Sequence, residues 1–151
     1  GAVIAQLDEQ WQPIRGTERE MPAGVIAIAV GLTPLAELAQ LCGCEFKYVA
    51  RLGGQVPVHN INMETTVPGI YVAGDITGVE EASSAMEEGR LAGIAAVESL
   101  GSITKPVAER LKQEVWNRLS MLRTGRFGVY RSQCKQDIVA AWGQGGARHV
   151  N

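Results

Sequence analysis

The run Thr65-Thr66-Val67-Pro68-Gly69-Ile70-Tyr71-Val72-Ala73-Gly74-Asp75, with a small-residue helix from about residue 80 to 100 behind it, constrains this chain most. A turn feeds a short apolar strand, the strand ends in Gly-Asp, and a helix starts just beyond. In an α/β protein that order places a carboxylate and a helix N-terminus at the carboxyl edge of a sheet, where ligands bind. Ala82, Ala85, Met86, Gly89, Ala92, Gly93, Ala96, Val97 and Leu100 recur at spacings of three and four. They predict an amphipathic helix with an Ala/Gly face that lets its backbone approach a sheet or ligand closely.

The rest of the chain reads as alternating short elements. Residues 2–7 suggest a strand, with 10–14 as its hairpin partner and 15–18 as a turn. Residues 25–30, Val-Ile-Ala-Ile-Ala-Val before Gly31, fit a strand covered on both faces. Thr33 is a candidate N-cap with Pro34 at the first helical position, and Leu35, Leu38, Ala39 and Leu41 form that helix's buried stripe. Gly43 ends it. Residues 45–49 and 56–58 read as strands around a turn at Leu52-Gly53-Gly54, with Pro57 favouring a sheet edge. Past Gly101, Thr104 and Pro106 open a helix whose stripe is Val107, Leu111, Val115, Leu119 and Leu122, ending at Gly125. Residues 138–142 suit a short helix, and 143–151 a disordered tail.

Asp75 carries the chemistry of the central motif. A carboxylate there accepts hydrogen bonds from sugar or ribitol hydroxyls, and Gly74 lets the backbone turn sharply. The free N–H groups of the following helix favour a pyrophosphate or the electron-rich edge of a flavin. On the residues alone, Asp75 as a plain helix or turn cap weighs equally. No residue stands out as a general acid or base, so no catalytic residue is named.

The run from Thr66 to Asp75 closely resembles the second FAD-binding motif of the pyridine nucleotide-disulfide oxidoreductase superfamily. Ala27-Ile28-Ala29-Val30-Gly31-Leu32-Thr33-Pro34 is similar to the preceding strand and Gly-x-x-Pro element. Gly53-Gly54-Gln55-Val56-Pro57-Val58 and Glu87-Glu88-Gly89-Arg90-Leu91-Ala92-Gly93 resemble the FAD subunits of amine and amino-acid dehydrogenases, of the sarcosine oxidase α, proline dehydrogenase and opine oxidase type. The resemblance covers roughly residues 1–101. It implies an α/β, Rossmann-like FAD/NAD(P)-binding domain, partial in this chain. A small β-meander, parallel strands and packing helices would form residues 1–101, with a helical extension over 102–142. It implies that Asp75 binds the FAD ribitol. The backbone around Ile76 and the helix turn near Glu81 and Ala82 would face the pyrophosphate or flavin pyrimidine, Gly74 would let the backbone approach the cofactor, and Gly31 and Pro34 would shape the crossover between the NAD-binding and FAD-binding parts.

No Gly-x-Gly-x-x-Gly loop occurs, nor the redox Cys pair of the disulfide reductases. Both glycine loops would lie upstream of Gly1. The expectation is a C-terminal segment carrying half of an FAD site, with NAD(P) bound only in a longer protein, and inactive alone. Its partners would be the upstream half and a further subunit or second copy, since bare sheet edges pair. The alternative is a non-catalytic subunit-interaction module that keeps the fold.

Charge and cysteine usage trim other classes. Residues 1–100 carry 5 basic and 13 acidic side chains, residues 101–151 carry 9 and 3. The basic stretch, with Trp116, Phe127 and Tyr130, could suggest nucleic acid, but a basic helix packing on the acidic body, or docking a partner subunit, fits the asymmetry better. Cys42, Cys44 and Cys134 supply neither a disulfide framework nor a metal set, which suits a reducing cytoplasm. His59 and His149 read as loop histidines. Glu80-Glu81 and Glu87-Glu88 read as acidic helix turns. No apolar run reaches membrane-span length and no leader pattern opens the chain.

Overall fold

A computed structural model describes residues 1–145. It divides into two compact units, Gly1–Gly31 and a second beginning at Leu32.

In the first unit, β1 (Ala2–Ile4) pairs antiparallel with β2 (Arg19–Met21) in the register Ala2 to Met21. The partner of β1 is therefore not residues 10–14, which reach the ribbon only through the Leu7–Pro13 bridge. The reason is local. Asp8 Oδ1 accepts from the N–H groups of Gln10 and Gln12 at 2.9 and 2.8 Å, folding that segment into a tight turn. Residues 25–30 form no strand. Val25 and Val30 are 87% and 90% exposed. A strand exists only through neighbours, and among the described residues none pairs with this one.

Among its described residues, the second unit holds two antiparallel strands and four α-helices. Helix α1 (Glu37–Leu41) starts at an Ala36 N-cap, not at Thr33 and Pro34. Of its expected stripe, Ala39 is buried and the three leucines, Leu35, Leu38 and Leu41, are not; Ala36 is buried as well. Strands β3 (Phe46–Val49) and β4 (Gly54–Pro57) pair in the register Phe46 to Pro57. Parallel strands do not occur among the described residues, and both sheets are two-stranded antiparallel ribbons. The expected strand at 70–73 is reduced to a bridge, Tyr71 to Glu64.

Helices α2 (Ala82–Ser99), α3 (Lys105–Leu122) and α4 (Gly125–Gly145) complete the unit. Thr104 stands at the α3 N-cap with Pro106 in the first turn. Helix α4 is far longer than residues 138–142 and takes in 143–145 of the expected tail; residues 146–151 lie outside the described residues. Leu91 of α2 packs with Val115 and Leu119 of α3 and with Met63. Ile138 of α4 packs on Leu52 and Val56 of the β3–β4 region. Trp142 Nε1 donates to Thr65 O at 3.3 Å, and Arg51 lies 4.9 Å over the Tyr130 ring. Of the aromatic residues of the basic stretch, Trp116 packs beside the Leu91, Val115 and Leu119 cluster and Tyr130 carries Arg51. No helix among the described residues is long and apolar enough to cross a membrane.

Candidate functional site

The central motif ends in a 3-10 turn, Gly74–Thr77, directly before α2. Gly74 has φ 75, and a Cβ there would lie 3.3 Å from that of Ala85, so glycine is the residue this turn admits. Gly78 closes the turn at φ 113, where a Cβ would meet Leu52 at 2.8 Å.

The turn and helix start bring together five of the expected site residues. Gly74 is buried, Asp75 is exposed, and Ile76 packs beside the cluster around Ala39, Cys44 and Val72. Among the described residues the Asp75 carboxylate makes no hydrogen bond, so it does not cap the helix or turn. Glu81 is the N-cap of α2, without a side-chain cap bond, and Ala82 is the first helical residue; both are exposed. The amides of Ser84 and Ala85 bond to Glu81 O. The N–H groups before them have no partner among the described residues, as the first amides of a helix lack one within it. Gly31 belongs to the first unit, whereas Pro34 is buried in the second, beside Gly53.

Behind this turn lies a buried ion cluster that the sequence patterning missed. Glu88, 2% exposed, accepts from Gly74 N–H through Oε2 at 2.8 Å. The Thr77 hydroxyl lies 2.8 Å from both Glu88 Oε2 and Gly74 O, and its single proton serves one of them at a time. Glu88 Oε1 accepts from Lys135 Nζ at 2.8 Å and from the Arg123 guanidinium. Lys135 Nζ also donates to Thr77 Oγ1 at 2.6 Å, and Arg123 is forked onto Glu80 at 2.6 and 3.2 Å. Burial works to raise the Glu88 pKa. Lys135, Arg123 and Thr77 outweigh it and hold the carboxyl below its ordinary range. Burial likewise works to lower the Arg123 pKa, and Glu80 and Glu88 overcome it to raise it. Around this core, Glu87 accepts from Arg118 at 2.9 Å and Lys112 meets Glu98 at 2.6 Å. The basic α3 does pack on the acidic α2. The opposed charge of the two chain halves was the available signal, but it did not say which side chains would be buried.

His59 departs from the loop-histidine expectation. It is 3% exposed and lines a cavity of about 410 Å³ with Met63, Trp116, Arg123 and Lys135. Nδ1 lies 2.9 Å from Asn60 O, so the neutral ring carries its proton there and Nε2 is a bare acceptor with no partner among the described residues. Burial holds its pKa below the usual imidazole range.

The site is thus a Gly-Asp turn leading to a helix N-terminus, behind a Val-Pro-Gly approach. The sequence model of the family described as pyridine nucleotide-disulphide oxidoreductase matches residues 2–89, and the chain belongs to that family. It is 32% identical over 98 residues to an opine oxidase subunit of Rhizobium meliloti (strain 1021), covering 65% of this chain and 21% of that protein. It is 37% identical over 83 residues to the corresponding opine oxidase subunit of Agrobacterium tumefaciens (strain Ach5), covering 55% and 16%. It is 27% identical over 128 residues to hydrogen cyanide synthase subunit HcnB of Pseudomonas aeruginosa, covering 85% and 27%. The chain thus spans about a quarter or less of the length of these relatives. No solved structure matches. Family and relatives make the chain an oxidoreductase component at the level of class.

Proposed function

We propose that this chain is the C-terminal FAD-binding portion of an FAD-dependent, NAD(P)-linked oxidoreductase acting on amines or amino acids. The observation that carries the reading is the exposed Asp75 carboxylate, left without a protein partner on a glycine-built turn at the start of α2. These residues fit one side of a flavin. Asp75 would hold the ribitol hydroxyls, and the free N–H groups near Glu81 and Ala82 would face the pyrophosphate or the pyrimidine ring. When bound, FAD supplies the redox chemistry. The chain's part is to bind and orient it. Gly74 keeps the backbone close, and Ile76 backs the turn with apolar contact.

The missing side belongs to upstream chain carrying the Gly-x-Gly-x-x-Gly loops. The exposed apolar residues of segment 25–30 and of α1 support this, because they suit burial by that chain. NAD(P) would be held by the same upstream part. Two of the relatives are named for opine oxidation, which supports an amine or amino-acid substrate class, and all three are named as subunits, which supports a subunit partner.

The test is flavin titration. The isolated chain, mixed with FAD, should remain colourless after desalting, and adding the upstream half should restore a yellow, stoichiometric complex. A tight FAD complex of the isolated chain would refute the half-site. Failure of the combined halves to bind FAD would refute the flavin reading and favour a non-catalytic interaction module.

A further inference from the structure

The Glu88 carboxylate divides its two oxygens between two tasks. Oε2 takes the N–H of Gly74, the residue just before Asp75, and lies beside the hydroxyl of Thr77, two residues after it. Oε1 takes the two cations, Arg123 from the end of α3 and Lys135 from α4. The turn that presents Asp75 is therefore bracketed on both sides by one buried group. Both cations come from beyond the span that matches the family.

We infer that Glu88 is a positioning residue for Asp75, and that Arg123 and Lys135 make the C-terminal helices part of the cofactor site by fixing that carboxylate. The inference rests on the reading of Asp75 as the ribitol ligand. Its chemistry is specific to a carboxylate. Each Glu88 oxygen receives donors, so an amide in either orientation would turn its NH₂ against an N–H group or against the cations. Glu88→Gln is therefore a disruptive change despite its matched shape.

The experiment uses the full-length protein and reads two quantities for each variant: the FAD dissociation constant and the melting temperature of the apoprotein. Visible circular dichroism of the bound flavin reports its orientation. Glu88→Gln should weaken FAD by about tenfold, the scale of one unmet buried donor, and alter the flavin dichroism. Thr77→Val, which removes only the hydroxyl, should weaken FAD about threefold, and it keeps the inference testable if Glu88→Gln does not fold. Val115→Ala and Lys112→Met should lower the melting temperature with the FAD affinity unchanged.

If affinity follows melting temperature across the whole series while Asp75→Ala still abolishes FAD binding, Glu88 is structural only and the inference falls. If Asp75→Ala leaves FAD binding intact, the ribitol reading falls first and takes the inference with it.

Discussion

On one face of helix α2, Ser84, Glu88, Leu91 and Ala95 are sealed against the Gly74 turn and α3; on the other, Met86, Gly89, Gly93 and Val97 stand in solvent. The Ala/Gly periodicity assigned the core to the second face. The structure puts it on the first, where two of the four buried residues are polar. The closed face is held by charges and one leucine, and owes little to helix propensity. The open face has the small residues that close backbone approach needs. The smooth face of this helix is bare, whereas its charged face has found partners within the fold.

The largest expected effect attacks the closed face. Glu88→Ala strips both cations of their counter-charge and leaves Gly74 N–H unmet. It should cost about 3–5 kcal/mol, read as a lowered urea midpoint of the isolated chain. A loss below about 1 kcal/mol, the scale of a solvent-screened surface pair, would show that the cluster is solvated and the two faces are alike.

Leu91→Ala tests the apolar part of the same face and should cost about 2–5 kcal/mol with a cavity left beside Met63 and Leu119. Met86→Ala on the open face should change stability by under about 0.5 kcal/mol. Equal costs would erase the distinction.

Acid should unpick the closed face first. The folded state depresses the Glu88 pKa, so the unfolded state takes the proton more readily. Its stabilisation is present above the ordinary value of 4.5 and is lost as pH falls below it. His59 is also depressed, by burial, so its contribution is present above its ordinary value of 6.5 and is lost as pH falls below that. Denaturant midpoints against pH should therefore decline in two stages, and His59→Gln should remove the upper one. A flat profile down to about pH 4.5 in the wild type would contradict the buried neutral histidine.

The smallest effect is the sharpest for the open face. Nothing lies within 4 Å of a Cβ added at Gly89 or Gly93. Gly93→Ala should stabilise the isolated chain by about 0.5–1 kcal/mol through helix propensity. In the full-length protein the same change should weaken FAD binding or halve assembly if an upstream sheet packs there. Stabilisation in both settings would show that the face stays bare.

These contrasts explain what could be read in the residues. The helices α2 and α3, the Gly43 stop and the β3–β4 turn were legible because they rest on local spacing and glycine. The strands at 25–30 and 70–73 were not, because β structure depends on neighbours rather than on the segment itself. The α1 leucines misled for a related reason: their periodicity is real, but the surface it addresses is not supplied by the described residues. Asp75 was visible from its motif, and among the described residues its carboxylate caps neither the turn nor the helix. The Glu88 cluster was hidden because its members lie far apart in the chain, and paired glutamates at a helix start look like a solvated turn. His59 gave no signal beyond its type.

The same separation has a meaning for synthesis. Glu80 and Glu88 leave the ribosome as like charges with nothing to balance them, and their cations follow 35 and 47 residues after Glu88. Until Lys135 arrives, the Gly74 turn lacks the buttress behind its acceptor. If Glu88 positions Asp75 as inferred above, the Gly74 turn gains its full buttress only once α4 has emerged.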